Sequence, residues 1–277
     1  MAKTLYVTKS DNSRELYDEN KVISSILRAH VGRECENRIL SSLKSKLYEN
    51  IPTSEIFELV NRELKNLCPQ GSDRYQLKKA LMELGPTGYP FERFIAKLLT
   101  EFGYKTANSQ IMDGLCVKHE VDVVAIKDER EYFIECKYHN QPGNRTDIKT
   151  ALYVYARGED LRKKLELLDK KTKFEPWIVT NTKFSTEAIV YGECQKMRLT
   201  GWGYPEKGNL EEMVDSKNMY PVTTLSILSF EQKRLLMDND FIIIQDLLNN
   251  NNFQKVLSLN YAQTENVRRA CDLILID

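Results

Sequence analysis

The sequence predicts an α/β protein, multidomain α+β in arrangement: a helical module opened by a β-hairpin, a mixed sheet flanked by helices, and a small all-helical region at the end. Three observations predict it. The periodicities in the middle of the chain run α-β-β-β-α-β-α-β, an order that requires a mixed sheet with helices packed on it. Two stretches dense in Gly and Pro, GPTGYP at 85–90 and GWGYPEKGN at 201–209, punctuate the chain. A length of 277 residues exceeds what one compact core usually needs. The expected segments are 1–84, 85–205 and 206–277.

In the first segment, 4–8 and 14–17 read as short strands joined by KSDNS, where Asp, Asn and Ser favour a turn and Asn12 tolerates positive φ. Asp18 is placed to cap a helix over 19–31. A helix over 36–48 carries Ile39, Leu40, Leu43 and Leu47 on one stripe. Thr53 or Ser54 caps the next, whose apolar face is Ile56, Leu59, Val60, Leu64 and Leu67. PQGSD reads as a break before a helix at 73–83. The middle segment opens with the amphipathic helix 91–102. Strands follow at 104–109, 120–126 and 132–138, then a helix at 147–170, a strand at 175–180, a helix at 184–195 and a strand at 197–202. Residues 210–277 read as helical, with DLILID a short tail.

Composition narrows the function classes. No apolar run approaches the roughly 18 residues of a membrane span, and the polar start lacks the apolar core of a signal peptide, so a cytoplasmic protein without membrane contact is expected. The six cysteines form no CxxC pair and none has a His at zinc-finger spacing, so buried free thiols are expected. The net charge is zero: the segments hold 14 basic and 12 acidic, 19 and 17, and 7 and 11 residues. Any nucleic acid must therefore be held by local patches.

The chemistry concentrates in HEVDVVAI and EYFIECKY. Both are rich in β-formers, and alternation puts Phe133, Glu135 and Lys137 on one face. A two-residue turn at Asp128–Glu129 pairs position 122 with 135, and a four-residue loop pairs it with 137; either puts Asp122 on that face. Two carboxylates and an ammonium on an apolar strand pair are costly to keep without a purpose. They suit Mg²⁺ or Mn²⁺, which take carboxylate, water and phosphate oxygens, and a phosphodiester polarised for hydrolysis. On spacing alone, Glu135 and Lys137 read equally as a surface ion pair. His119 and His139 flank the strands, and Gln141, Arg145 and Lys149 follow them as candidate phosphate contacts beside the bland reading of a solvated loop. The basic run 162–173 reads chiefly as a solvated helix face.

Over 86–205, GYPFERFIAKLL, EFGY, HEVDVVA and YFIECKYH resemble the PD-(D/E)xK nuclease superfamily, in its Mrr-like restriction endonuclease branch. The resemblance implies a restriction-endonuclease-like fold in which Asp122 and Glu135 bind metal, Lys137 assists catalysis and Glu92 on the preceding helix joins the site; the acid at 122 follows Val instead of the usual Pro. Residues 1–84 are similar to the ATP-cone, a regulatory nucleotide-binding domain. Val7, Lys9, Asp11, Arg14, Glu15, Tyr17, Asp18 and Lys21 fit its pattern, and PTSEIFELVNREL its later segment. That implies ATP or dATP bound without hydrolysis, with Lys9, Arg14 and Lys21 on the phosphates, although Ser10 replaces a usual Arg. PVTTLSIL and LLMDNDFIIIQDLL have a weak similarity to helix-hairpin-helix DNA-binding folds, but the turn MDND lacks Gly and is acidic, which favours a packing or dimer module.

Together these imply a nucleotide-regulated, Mg²⁺-dependent endonuclease on DNA, in restriction, repair or element defence, with a homodimer attractive because double-strand cutting needs two sites. The alternative is an ATP- or dATP-sensing DNA-binding regulator whose nuclease fold is silent. A scaffold with no nucleic-acid role is the blandest reading.

Overall fold

The computed structural model describes residues 5–168 and 173–275. Residue 4 of the first expected strand, 169–172 of the basic run and the last two residues of the DLILID tail lie outside these. The chain divides into two compact units: residues up to Ala80 together with those from Tyr220 onward, and Leu81–Met219.

The first unit begins with β1 (Tyr6–Thr8), β2 (Arg14–Leu16), α1 (Glu19–Arg28), α2 (Arg33–Lys44), β3 (Ile51–Pro52), α3 (Thr53–Leu67), α4 (Pro69–Tyr75) and α5 (Leu77–Met82, reaching into the next unit). β1 pairs antiparallel with β2 and parallel with β3. Asn12 takes φ +62° in the hairpin turn, and the Asp18 carboxylate caps α1 by accepting from the Asn20 N–H at 2.9 Å. Val22, Ile26, Ile39, Leu43, Ile51, Val60 and Leu64 form the core. PQGSD, expected as a break, lies within α4, and the break falls just before it at Cys68. Pro69 starts α4, because its missing N–H costs nothing in a first turn.

The expectation of buried free thiols needs correction. Cys35 and Cys68 form a disulfide across a sequence separation of 33, and Cys116 and Cys194 are exposed. Cys35 lies on the buried face of α2 and Cys68 ends α3, so the packing of two helices sets the pair.

In the second unit come α6 (Tyr89–Glu101), β4 (Lys105–Asp113), β5 (Lys118–Lys127), β6 (Arg130–Lys137), β7 (Arg145–Thr146), α7 (Ile148–Leu167), β8 (Lys173–Thr180), β9 (Lys183–Phe184), α8 (Thr186–Cys194), β10 (Arg198–Thr200) and α9 (Leu210–Ser216). The main sheet has the order β10-β8-β6-β5-β4. β10, β8 and β6 run parallel, while β5 and β4 are antiparallel to their neighbours. This is the mixed α/β arrangement expected, with one addition: β7 and β9 make a separate parallel pair, Arg145 beside Lys183. α7 packs on β8 at Gly158, where a Cβ would stand 3.4 Å from Phe174 and Pro176.

The chain then returns to the first unit through α10 (Phe230–Asp238), α11 (Ile244–Asn249), α12 (Phe253–Val256) and α13 (Tyr261–Leu275). The expected separate segment 206–277 is thus divided, with α9 joining the sheet unit and 220–275 joining the N-terminal module. The reason is polar as well as apolar. The Arg74 Nε donates to the Ile274 carbonyl at 2.6 Å and the Thr223 hydroxyl to the Ala80 carbonyl at 2.8 Å, both buried. The acidic turn is closed by Asp240 at φ +70°. No helix among the described residues is long and apolar enough to cross a membrane.

Candidate functional site

The β5–β6 hairpin carries the central residues. Asp128 and Glu129 both have positive φ, +50° and +58°, and Lys127 pairs with Arg130 across them. That is the two-residue turn whose backbone matches strand twist. Its ladder runs to Val123↔Ile134, and one further step in that register puts Asp122 opposite Glu135.

The ladder changes character there. The Asp122 carboxylate, not a backbone carbonyl of β5, accepts the Cys136 N–H at 2.7 Å. On the other side, the β4–β5 pairing skips Ser109, which has φ +48°, between Asn108↔Val123 and Gln110↔Val121. Both ladders are thus interrupted at the level of Asp122, while the β4–β5 register is kept on either side.

Glu92 comes from the first turn of α6, held there by the buried Phe91, Phe94 and Ile95. Burial pushes its carboxyl up to about 7, and the charges of Asp122, Glu120 and Glu135 push the same way. Asp122 is raised to about 6 by burial and by Glu135, against the opposing Cys136 N–H and the Arg157 charge. Four acids from one helix and two strands therefore repel one another across a small space.

Sequence reasoning missed Arg157. It lies on the buried stripe of α7, among Ala151, Val154, Gly158 and Leu161. Its guanidinium donates to Glu135 Oε2 at 2.5 Å. An Arg inside an apolar helical stripe was the available signal, and it vanished into the polar look of that helix. Glu120 was missed too; it stands two residues before Asp122 on β5.

Lys137 stands two residues beyond Glu135 on β6, on the same strand face; it is exposed and makes no ion pair among the described residues. His139 is half-buried, its imidazole is held below the usual value by burial and by Lys137, and its Nε2 lies 3.2 Å from the Thr146 hydroxyl. His119 is engaged elsewhere, with Nε2 2.8 Å from Asp160. Gln141, Arg145 and Lys149 are exposed. In the 162–173 run, Arg162 pairs with Glu159 and Glu166 on its own helix, as a solvated face does. Among the described residues no group of three or more His, Cys, Asp or Glu forms a ready metal cage.

In the first unit, Lys9 and Lys21 meet on Glu15, the former at 3.0 Å, and the two ammonium groups hold the Glu15 carboxyl below its usual value. Arg14 is not with them. As the strand neighbour of Glu15 it points to the opposite face, 3.3 Å from Glu49 and over the Tyr6 ring.

Comparisons with known proteins bear on both units. The family model of the ATP cone domain matches residues 5–82, and that of AF1548-like, C-terminal, matches 220–275. An uncharacterized protein of Archaeoglobus fulgidus is 47% identical over 133 residues, 48% of this chain and 72% of that protein. The crystal structure of a protein of unknown function, AF1548, is similar at 35% identity and TM-score 0.57, covering 68% of this chain and 98% of that one. Residues 5–82 are an ATP-cone domain, which points to regulation by an adenine nucleotide.

Proposed function

We propose, for a chain that belongs to the AF1548-like family, that its ATP-cone domain senses ATP or dATP and governs a divalent-cation-dependent endonuclease centre for DNA in the Leu81–Met219 unit. The observation that carries the reading is the meeting of Glu92, Asp122 and Glu135 from three elements, with two of the carboxyls pushed up to about 7 and about 6. A site whose acids resist ionisation gains most from a bound cation.

The donor set fits Mg²⁺ or Mn²⁺. Asp122 and Glu135 each have one oxygen committed, to the Cys136 N–H and to Arg157, and each keeps a second. One or two carboxylates suffice for Mg²⁺, since water and substrate phosphate supply the other ligands. When bound, the ion would polarise the phosphodiester and acidify a water. Glu92, with its carboxyl near neutrality, suits the removal of a proton from the attacking water. The exposed Lys137 ammonium offers charge to a phosphate oxygen or orients that water. Lys9 and Lys21 would take the nucleotide phosphates in exchange for Glu15, whereas Arg14 would have to leave Glu49 on the opposite strand face to join them.

One observation favours the second reading, a nucleotide-sensing DNA-binding regulator with a silent site. Arg157 already occupies Glu135, and no three-donor cage is formed among the described residues. The ATP-cone match supports sensing under either reading. Plasmid is incubated with the protein and Mg²⁺ or Mn²⁺, with and without ATP or dATP. Nicking that is lost in Asp122→Ala and Lys137→Ala supports the nuclease. Gel shifts that respond to dATP, with no cleavage under any metal, support the regulator.

A further inference from the structure

Arg157 brings a positive charge into the acidic site, and its attachments set what it can do. The Arg157 side chain is 5% exposed. One terminal nitrogen donates to the Glu120 carbonyl at 2.8 Å and to the Tyr153 hydroxyl at 2.9 Å; the other donates to Glu135. The guanidinium carbon also lies 4.9 Å from the Tyr153 ring centroid. Tyr153 sits four residues earlier, on the same helical face.

Two of the three hydrogen bonds go to a backbone carbonyl and a phenol. These anchor the guanidinium to β5 and α7 independently of Glu135. A guanidinium does not lose its proton in a protein, so the charge is permanent. A buried ion pair adds little net stability, whereas a fixed positive charge beside a carboxylate cluster strongly opposes entry of a second cation. It also removes one Glu135 oxygen from the donors on offer.

We propose that Arg157 is a positioning residue that keeps the divalent-cation site weak in the free protein, so that a substrate phosphate must supply the missing charge and ligands before the ion is held firmly. Cation loading is thereby coupled to phosphodiester binding, and the free protein does not carry an armed centre. This rests on the reading of the acids as a divalent-cation centre.

Mn²⁺ binding to the full chain, followed by electron paramagnetic resonance with and without a short duplex oligonucleotide, tests it. The wild type should bind Mn²⁺ weakly alone and at least 10-fold more tightly with duplex. Arg157→Gln should bind Mn²⁺ at least 5-fold more tightly than wild type without duplex, and gain less from duplex. Arg157→Lys, which keeps the charge, should behave as wild type, an outcome that a merely structural role does not produce. Glu135→Gln should weaken binding in every background. If Glu135→Gln weakens binding but Arg157→Gln is no tighter than wild type, the role of Arg157 is refuted and the cation centre stands. If the wild type binds no Mn²⁺ even with duplex, the cation centre itself fails and this inference with it.

Discussion

Replacing Glu92 by Gln tests the electrostatics of the site without needing a substrate. The wild-type carboxyl is pushed up from 4.5 to about 7. A raised folded-state value means the folded protein binds that proton more tightly than the unfolded chain. The stability gained from it is full below pH 4.5 and is lost as the pH rises through about 7. At about 1.4 kcal/mol per tenfold, the loss is about 3 kcal/mol, and solvent around a half-buried group reduces it to about 1–2 kcal/mol. Glutamine cannot ionise. Glu92→Gln should therefore match the wild type near pH 4 and exceed it by about 1–2 kcal/mol at pH 8. Asp122, raised to about 6, titrates with Glu92 as a coupled pair, so the wild-type decline should be spread over this range and not form one sharp step. Urea unfolding at a series of pH values, read by tryptophan fluorescence, is the assay. Both tryptophans, Trp177 and Trp202, lie in the Leu81–Met219 unit, so the signal reports on the right part of the chain. A difference between the two proteins that does not change with pH, or a variant less stable at pH 8, refutes the raised Glu92 carboxyl.

Three further outcomes are expected. Glu15→Gln frees Lys9 and Lys21 from their shared carboxylate, and calorimetric titration should show ATP or dATP binding tightened by about 3–10-fold; unchanged or weaker binding removes these lysines from the phosphate site. Thiol titration of the unreduced, denatured protein should find four reactive cysteines, six after reduction, and reduction should lower the stability of the first unit by roughly 2–4 kcal/mol, the chain-entropy value for a loop of this length. Finding six thiols without reductant would exclude the Cys35–Cys68 bond. Asp122→Ala leaves the Cys136 N–H without its acceptor, whereas Asp122→Asn keeps one. Denaturation should place the Ala variant about 1–3 kcal/mol below the Asn variant, and equal stabilities would show that the N–H finds another acceptor.

What the sequence alone determined was local. Strand alternation put Asp122 on the face of Glu135 in either of two registers, and the structure selected the one with the two-residue turn at Asp128–Glu129. The helix bearing Glu92 was legible from its apolar spacing, and the first strands and capped helix from a polar turn and Asp18. The ATP-cone pattern lay in two short stretches, so it too could be read directly. Tertiary structure decided the remainder, because the partners are distant in sequence and ordinary in composition. Arg157 becomes part of the site only when α7 packs on the sheet, which brings the guanidinium to a carboxylate 22 residues away. Cys35 and Cys68 meet because two amphipathic helices bury neighbouring faces. The C-terminal helices join the N-terminal module through a hydrogen bond spanning 200 residues, from Arg74 to Ile274. Turn chemistry and periodicity act over a few residues, so they reveal which elements form. Which buried charge finds which partner is settled only when the faces of those elements close on one another and water is excluded.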